Sequence, residues 1–203
     1  IARIIIDPTN PNIVLAATTS GRYKLNVTNT SSIMKSTNGG TSWTEVYREA
    51  TIGSAGRVKK VLQIIETPGN FNIQYASVDE KGILKSTNSG DTWFFSSNGI
   101  SDTTGRFELA IAPSNVNKIY AAAEGTPNSN LYVSSDAGAN WILTTVSGTN
   151  TNWLSSQGWY DNTIVVHPTD ENKMYVGGVN LYTITMTSPT QRTIASISAG
   201  SVH

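Results

Sequence analysis

The side chains best suited to ligand binding lie in one segment, between residues 153 and 162. Two of the five tryptophans in the chain are found there, together with amide and carboxylate groups. An aromatic ring can stack on the apolar C–H face of a sugar ring while neighbouring polar groups bind its hydroxyls. The candidate ligand-binding residues are Trp153, Gln157, Trp159, Tyr160 and Asp161. The alternative is a structural role, in which Trp159 and Tyr160 pack between sheets and Asp161 caps a turn.

Carboxylates could supply acid–base chemistry instead. Glycoside hydrolysis typically uses two carboxyl groups held about 5–10 Å apart. The candidates lie on loops and links that the repeat described below leaves free for binding: Asp79, Glu80, Asp102, Glu108, Glu124 and Asp161. None of them stands in a motif that matches a glycosidase. Each is therefore interpreted as a solvated surface residue, and we assign no catalytic residue.

Composition disfavours a metal or cofactor site. The chain has no cysteine and only two histidines, one of which is the terminal His203. The other, His167, precedes Pro168 in a predicted turn. Transition-metal sites are built mainly from cysteine and histidine, and no glycine-rich loop here resembles a phosphate site. We therefore predict no metal and no cofactor.

The charge balance restricts the partners and the location. Lysine plus arginine and aspartate plus glutamate both number 14, so the formal net charge is zero, and there is no basic run. This predicts no nucleic-acid partner. No apolar stretch reaches the roughly 18 residues of a membrane span. The lack of cysteine disfavours a disulfide-stabilised eukaryotic secreted domain and suits an exported bacterial protein. We predict an extracellular or cell-surface location.

The candidate residues must be positioned by a repeated element that dominates the sequence. An eight-residue polar stretch that ends in tryptophan occurs three times, with its tryptophans 50 and 48 residues apart. The shared positions are Ser36, Asn38, Gly40 and Trp43; Ser86, Asn88, Gly90 and Trp93; and Ser134, Asp136, Gly138 and Trp141. Each stretch, here called a box turn, lies between two apolar runs, which indicates a β-hairpin. We expect the serine and the Asn or Asp to accept hydrogen bonds from backbone amides of their own turn, and the tryptophan to fold back as an apolar plug.

A second landmark, an apolar strand that ends in a proline- and asparagine-containing turn, occurs four times. It is centred on Pro8, Pro68, Pro113 and Pro168. The two landmarks together predict four units of four antiparallel strands, at residues 2–47, 58–97, 106–147 and 161–198. Repeats of this length indicate propeller blades. The fourth unit has lost its box turn, but an ordinary turn can close its outer hairpin.

The Ser-x-Asp/Asn-x-Gly-x-x-Trp pattern resembles the Asp-box, or BNR repeat, of β-propellers. Sialidases, sortilin-type receptors, xyloglucan-degrading glycosidases and propellers similar to photosystem assembly factors share it. With the degenerate fourth unit, the resemblance covers nearly the whole chain. It implies an all-β propeller in which the boxes are structural and lie away from the active face. Such propellers resemble rings of six, seven or ten blades more than rings of four, so we interpret the chain as an arc of a larger ring.

Two functions are compatible with this reading. The strand order places the loops between second and third strands, and the links between blades, opposite the boxes. Those loops are 20–30, 79–82 and 124–129, and the links are 48–57, 98–106 and 147–161. The first hypothesis is an exported module that binds or scaffolds a glycan or a protein on that face and contacts the rest of its own propeller. The alternative is a fragment of a xyloglucanase-like or sialidase-like glycoside hydrolase whose catalytic carboxylates lie partly outside this segment, although the sialidase Phe/Tyr-Arg-Ile-Pro signature is absent.

Overall fold

The computed structural model describes residues 1–19, 30–53, 56, 58–125, 128–149 and 151–197. These residues form seventeen β-strands and no helix. The predicted all-β fold class is therefore confirmed. The predicted binding loop at 20–30 lies, except for Thr30, outside the described residues, as do parts of the 48–57 and 124–129 segments and the end of the fourth unit.

The strands form four sheets, and in the first three the members follow each other in chain order. Blade 1 contains β1 (Arg3–Ile6), β2 (Val14–Thr18), β3 (Ser31–Ser36) and β4 (Thr44–Glu49). Blade 2 contains β5 (Val61–Thr67), β6 (Asn70–Val78), β7 (Gly82–Ser86) and β8 (Phe94–Phe95). Blade 3 contains β9 (Phe107–Ala112), β10 (Asn115–Ala123), β11 (Asn130–Ser134) and β12 (Ile142–Leu143). Neighbouring strands within each of these sheets are antiparallel.

Blade 4 has one strand more than the sequence predicted. The short β13 (Thr145–Val146) precedes β14 (Thr163–Val166), β15 (Lys173–Gly177), β16 (Leu181–Met186) and β17 (Gln191–Ser196). It pairs in parallel with β17 at the outer edge of the sheet, whereas the other four strands are antiparallel. A strand of two residues has no hydrophobic period to detect, and its pairing depends on an edge formed 46 residues later, as the Thr145–Gln191 and Val146–Arg192 register shows.

The chain divides into two compact units, Ile1–Phe95 and Ser96–His203. Blades 1 and 2 form the first unit. Its core is made by Leu15, Ala17 and Ile33 from blade 1 and by Ile64 and Leu84 from blade 2, all of them fully buried. These residues alternate along their strands with residues of the opposite sheet face, as the two-residue period of a strand requires. Apolar burial between facing sheets therefore holds the two blades of this unit together.

Blades 3 and 4 form the second unit. Tyr120, Ala122 and Leu131 of blade 3 and Val176 and Ile184 of blade 4 belong to its buried core. The segment that links the two blades contributes to the same core. Its residues 153 and 154 are almost completely buried there. The link is thus part of the packed structure as well as a connection between sheets.

Candidate functional site

The box turns bind their own backbone. In blade 1 the Gly40 amide donates to Ser36 Oγ at 2.8 Å, and the Ser42 amide donates to Asn38 Oδ1 at 2.8 Å. The same pair of bonds recurs in blade 2 at Ser86 and Asn88 and in blade 3 at Ser134 and Asp136. Gly40, Gly90 and Gly138 have φ angles of 89°, 81° and 81°. Glycine occupies this left-handed region at little steric cost, so the side-chain oxygens and the glycine act together to close the turn.

A further hydrogen bond joins each box turn to the first turn of its blade. The amides of Gly39, Ser89 and Ala137 donate to the carbonyls of Asn12, Asn72 and Asn117 at 3.0, 3.1 and 2.8 Å. Each of these asparagine amides is in turn bound by the side chain two residues earlier, at Asn10, Asn70 and Asn115. In every blade this end of the sheet, here called the box end, is therefore built by turn side chains that bind backbone. The opposite end, here called the loop end, carries the segments predicted to bind ligands.

The three box tryptophans have different surroundings. Trp141 is 3% exposed and donates through Nε1 to Ser96 O at 2.7 Å. Trp43 is 40% exposed and donates to Gly40 O of its own turn at 2.9 Å. Trp93 makes the same bond to Gly90 O at 3.1 Å and packs against the core of the first unit. Trp141 is buried as the apolar plug that the sequence predicts. Trp43 is more exposed, because burial depends on which segment covers the indole.

The candidate ligand-binding segment contains both buried and exposed aromatic rings. Trp153 is 1% exposed and belongs to the core of the second unit, with the Arg192 guanidinium 5.8 Å from its ring centre. Trp159 and Tyr160 are 45% and 47% exposed. The structure therefore separates the predicted residues into a core tryptophan and an exposed pair, here called the aromatic pair.

The aromatic pair is held by a compact turn. The two ring centres are 4.0 Å apart with an angle of 55° between the ring planes. The amides of Tyr160 and Asp161 both donate to Gln157 O at 3.0 Å, and the Tyr160 hydroxyl donates to Gln157 Oε1. Gln157 thus orients the turn with its backbone and its side chain. The result is an exposed platform of two rings on a defined backbone.

Arg106 connects this turn to blade 3. Its Nη1 donates to Tyr160 O at 3.0 Å, and its Nη2 pairs with Glu108 Oε1. Its carbonyl accepts from the Glu124 amide at 3.1 Å. Arg106 therefore lies between the aromatic pair and two of the candidate carboxylates. Sequence reasoning assigned no role to this arginine, which ends the 98–106 link. Its position just before a strand, at the loop end, was the available signal for a positioning role.

Three of the candidate carboxylates belong to residues of this region: Glu108 pairs with Arg106, the Glu124 amide bonds the Arg106 carbonyl, and Asp161 follows Tyr160 in the turn. A β-carbon on Gly158 would lie 3.0 Å from the Glu124 side chain, so Glu124 packs directly beneath the turn of the aromatic pair. Asp161 Oδ2 and Arg106 Nε are buried and have no hydrogen-bond partner among the described residues. The side chains around the aromatic pair thus provide both carboxylate acceptors and guanidinium donors.

The other candidate carboxylates have separate surroundings. Glu80, in the first unit, packs against Gly53, where a β-carbon would lie 2.8 Å from its Oε1. Asp102 accepts hydrogen bonds from the amide and hydroxyl of Thr104 at 2.9 and 2.6 Å, which is a local turn contact. Asp79 follows β6, and its amide donates to Lys60 O at 2.8 Å.

Sequence reasoning missed a buried carboxylate at the loop end of blade 1. Glu49 is 2% exposed and pairs with Lys81 Nζ at 2.8 Å. It also accepts from the Tyr47 hydroxyl at 2.9 Å and the Thr51 amide at 2.7 Å. Burial favours the neutral acid, but the hydrogen bonds from Lys81, Thr51 and Tyr47 outweigh it and lower the pKa of Glu49 to about 2. Its partners are all supplied by the protein, which indicates a structural role.

The remaining surface features are few in the part of the chain that the structure describes. A cleft of about 220 Å³ lies at the box end of the first unit, lined by Asp7, Pro8, Thr9 and residues 69–72. The described residues contain no cluster of three or more His, Cys, Asp or Glu side chains that could hold a metal ion. None of their elements is a long apolar helix of the kind that crosses a membrane.

Comparison with solved structures supports the propeller architecture. An ancestral GH74 enzyme matches 97% of this chain with a TM-score of 0.66 and 21% identity, and the match covers 24% of that enzyme. The chain therefore spans about a quarter of the length of that similar protein. A GH74 xyloglucanase from Xanthomonas campestris matches 95% of this chain and 38% of its own, at a TM-score of 0.45 and 14% identity. YCF48 bound to D1 peptide matches 82% of this chain and 48% of its own, at a TM-score of 0.48 and 14% identity.

The family comparison is more specific. No curated protein matches the chain. The Sortilin-Vps10 family model, described as sortilin, neurotensin receptor 3, matches residues 31–199. This range includes blades 2, 3 and 4 and the strands β3 and β4 of blade 1, and it confirms the sortilin-like resemblance inferred from the box turns. The chain is a fragment of a β-propeller and belongs to the Sortilin-Vps10 family.

Proposed function

We propose that this propeller fragment is a binding module whose loop end in blade 3 takes a glycan. The single observation that carries the proposal is the aromatic pair, in which Trp159 and Tyr160 each leave nearly half of their surface exposed although they are held in one geometry. Large exposed aromatic side chains next to polar groups are typical of binding surfaces. The family model describes a receptor, which supports a binding role in general terms.

The chemistry around the aromatic pair favours a neutral, hydroxyl-rich ligand. An indole face can cover the C–H side of a sugar ring, and the carboxylate of Glu124 and the guanidinium of Arg106 offer an acceptor and donors beside it. Arg106 and Glu108 neutralise each other, and the remaining carboxylates Glu124 and Asp161 disfavour an anionic ligand. A protein ligand would use the same rings as anchors, and we treat it as an alternative outcome of the test.

We also propose a location for the module. A receptor-like binding role and the resemblance to exported propellers support a location at the cell surface or outside the cell. The absence of cysteine from the sequence suits an exported bacterial protein. Secretion of the full-length parent protein with an epitope tag, measured in the culture medium and the cell fraction, would check this part.

A second candidate function is a part of a glycoside hydrolase. It is favoured by two carboxylates beside the turn of the aromatic pair, Glu108, which pairs with Arg106, and Glu124, which lies against Gly158. Hydrolysis needs one carboxylic acid and one carboxylate aligned across a glycosidic bond. In this fragment Glu108 is held by Arg106 and Asp161 Oδ2 is buried, so a partner carboxylate would have to come from additional blades.

The experiment is a glycan array followed by calorimetry on the best ligand. We expect Trp159→Ala to weaken binding by about tenfold or more, because an interface tryptophan commonly contributes over 1 kcal/mol. Trp43→Ala is the matched control, since Trp43 is also about 40% exposed but lies at the box end, and it should leave the affinity unchanged.

Three results would decide between the functions. An array with no bound glycan, or equal affinity of the Trp159→Ala and wild-type proteins, would contradict the proposal. Glycan binding accompanied by release of reducing sugar, and lost in Glu124→Gln, would favour the hydrolase. A tagged-protein pull-down that is lost in Trp159→Ala, without any glycan binding, would identify the ligand as a protein.

A further inference from the structure

The box turn of blade 3 is covered by a short segment of the chain. Residues 96–99 follow the outer strand of blade 2 and lie on the box turn of blade 3, within the second unit. Trp141 Nε1 donates to Ser96 O at 2.7 Å, and the Trp141 amide donates to Asn98 O at 2.8 Å. In the other direction, Ser96 Oγ donates to Gly138 O at 2.6 Å and Asn98 Nδ2 donates to Asn140 Oδ1 at 2.6 Å. Four hydrogen bonds and a buried indole therefore hold this segment in place.

A glycine in the covering segment is essential for the contact. Gly99 has a φ angle of 88°, and a β-carbon at this residue would lie 2.1 Å from Trp141 O. A contact of that length is impossible for a β-carbon, and the neighbouring atom is backbone that cannot move away alone. The covering segment therefore has a recognisable chemistry, a serine carbonyl, an asparagine side chain and a glycine in sequence.

The box turn of blade 2 is also covered, by blade 1. A β-carbon on Gly90 would lie 2.6 Å from Leu15 Cδ1, and Asp91 pairs with Lys35 Nζ at 2.6 Å. On the same face of blade 2, the registered residues Ile64, Ala76 and Leu84 are completely buried. Within the first unit, the box turn and this sheet face thus form one continuous surface that receives the preceding blade.

The corresponding surface of blade 1 is less covered by the described residues. Trp43 is 40% exposed, and the nearest atom to a β-carbon built on Gly40 belongs to Trp43 itself. Ile4, which occupies the same place relative to Pro8 as Ile64 does to Pro68, is 49% exposed, whereas Ile64 is 0% exposed. The strand register is the same, since Ile4 pairs with Ala16 and Ala16 pairs with Met34. An exposed tryptophan and an exposed isoleucine thus occupy positions that are covered in blade 2.

We infer that the Trp43 box turn is a docking site for an extended peptide segment of the Ser-Ser-Asn-Gly type, such as follows the outer strand of a blade. On docking, the Trp43 indole transfers its Nε1–H hydrogen bond from Gly40 O to the serine carbonyl of the segment, as Trp141 shows. The asparagine and glycine of the segment then lie against the box backbone. This inference concerns the box end of blade 1 and is independent of the glycan site at the loop end of blade 3.

The test uses the complete chain and a capped synthetic peptide with the sequence of residues 94–100, Phe-Phe-Ser-Ser-Asn-Gly-Ile, which contains no tryptophan. Indole N–H signals are followed by two-dimensional NMR of ¹⁵N-labelled protein, and Trp43→Phe assigns the Trp43 signal. We expect this signal to shift saturably with a dissociation constant of about 1 mM, typical of a short flexible ligand. The Trp141 signal should stay in place because its site is already occupied.

The matched control is the same peptide with Gly99→Ala. A β-carbon there overlaps the tryptophan carbonyl, so this peptide should leave the Trp43 signal unshifted at the same concentrations. The inference is overturned if the wild-type peptide causes no shift at 5 mM, about five times the expected dissociation constant. It is also overturned if the Gly99→Ala peptide binds equally well, because binding would then not use the geometry seen at Trp141.

Discussion

The outer hairpins of blades 3 and 4 are closed by different hydrogen bonds. In blade 3 a buried serine, Ser134, accepts two backbone amides and closes the box turn from within. In blade 4 no box is present, and Ser188 accepts the amides of Thr190 and Gln191 at 3.3 and 3.1 Å. The strands β16 and β17 nevertheless pair over five residues. The loss of the box therefore leaves the hairpin intact, as the sequence predicted.

The outer hairpins of blades 3 and 4 share one contact, a hydrogen bond to the first turn of their own blade. The Met186 amide donates to Asn172 O at 2.8 Å, as the Ala137 amide does to Asn117 O in blade 3. Asp170 binds the Asn172 amide at 2.9 Å, as Asn115 binds that of Asn117. The first turn thus anchors the outer hairpin in both blades. The box turn therefore adds to an anchor, the hydrogen bond from the outer hairpin to the first turn, that blade 4 has without a box.

Blade 4 lacks a box turn, and contacts at the outer edge of its sheet stabilise its outer hairpin instead. Arg192 is 1% exposed, and its Nη1 donates to Thr144 O at 2.9 Å. Burial lowers the pKa of Arg192 to about 10, so the guanidinium remains charged at neutral pH. The Ser147 amide donates to Arg192 O at 2.8 Å, which extends the pairing with β13. The segment that follows blade 3 and contains β13 therefore stabilises the outer hairpin of blade 4.

The largest expected effect follows from removing this arginine. Arg192→Ala should lower the free energy of unfolding by about 2–4 kcal/mol, because it deletes buried volume and leaves the Thr144 and Ser129 carbonyls without their donor. Denaturant unfolding at pH 7 measures the change. Thr193→Ala, an exposed neighbour on β17, is the control and should change stability by less than about 0.5 kcal/mol. Equal stability of the two variants would show that the outer edge does not compensate for the missing box.

The next effect compares the two turn serines directly. Ser134→Ala leaves the buried Gly138 amide without an acceptor and should cost about 2 kcal/mol. Ser188→Ala, in the half-exposed turn of blade 4, should cost about 0.5 kcal/mol because water can replace its hydroxyl. Thermal and denaturant unfolding of both variants would check the difference. Similar losses in the two would contradict the view that the box serine acts through burial.

The smallest effect concerns Asp136, the aspartate at the position that Asn38 and Asn88 occupy in the other two box turns. Hydrogen bonds from Asn140, from the Ser134 hydroxyl and from backbone amides keep the pKa of Asp136 below its ordinary value. A carboxylate whose folded pKa is depressed contributes stability above its unfolded pKa, and this contribution is lost as the pH falls through the folded pKa. Asp136→Asn should cost about 0.5 kcal/mol at pH 7, because Asn140 Nδ2 loses its acceptor, and the difference from wild type should shrink below about pH 4. Urea unfolding between pH 2.5 and 7 measures both. A difference that grows toward low pH would contradict the assignment.

The aromatic segment shows where sequence reasoning stopped. It correctly singled out a region with unusual side chains, but Trp153 and Trp159 were indistinguishable there. Their residue type and polar neighbours are the same in kind, while their exposed fractions are 1% and 45%. Burial is decided by what packs from elsewhere, in this case Leu154, Val176 and the other core residues of the second unit. The same limit applies to Arg106 and Glu49, because each also has a partner far along the chain, Tyr160 for Arg106 and Lys81 for Glu49.

The sequence by itself determined the repeat, the all-β class, the hairpins and the chemistry that closes the box turns. These features depend on neighbours within about ten residues, so side-chain type and spacing are enough to specify them. Only the tertiary structure decided which tryptophan is covered, that β13 joins the edge of blade 4, and that Arg192 is buried without a carboxylate partner among the described residues. Those outcomes depend on contacts between segments far apart in the chain, and local residue patterns do not specify such contacts.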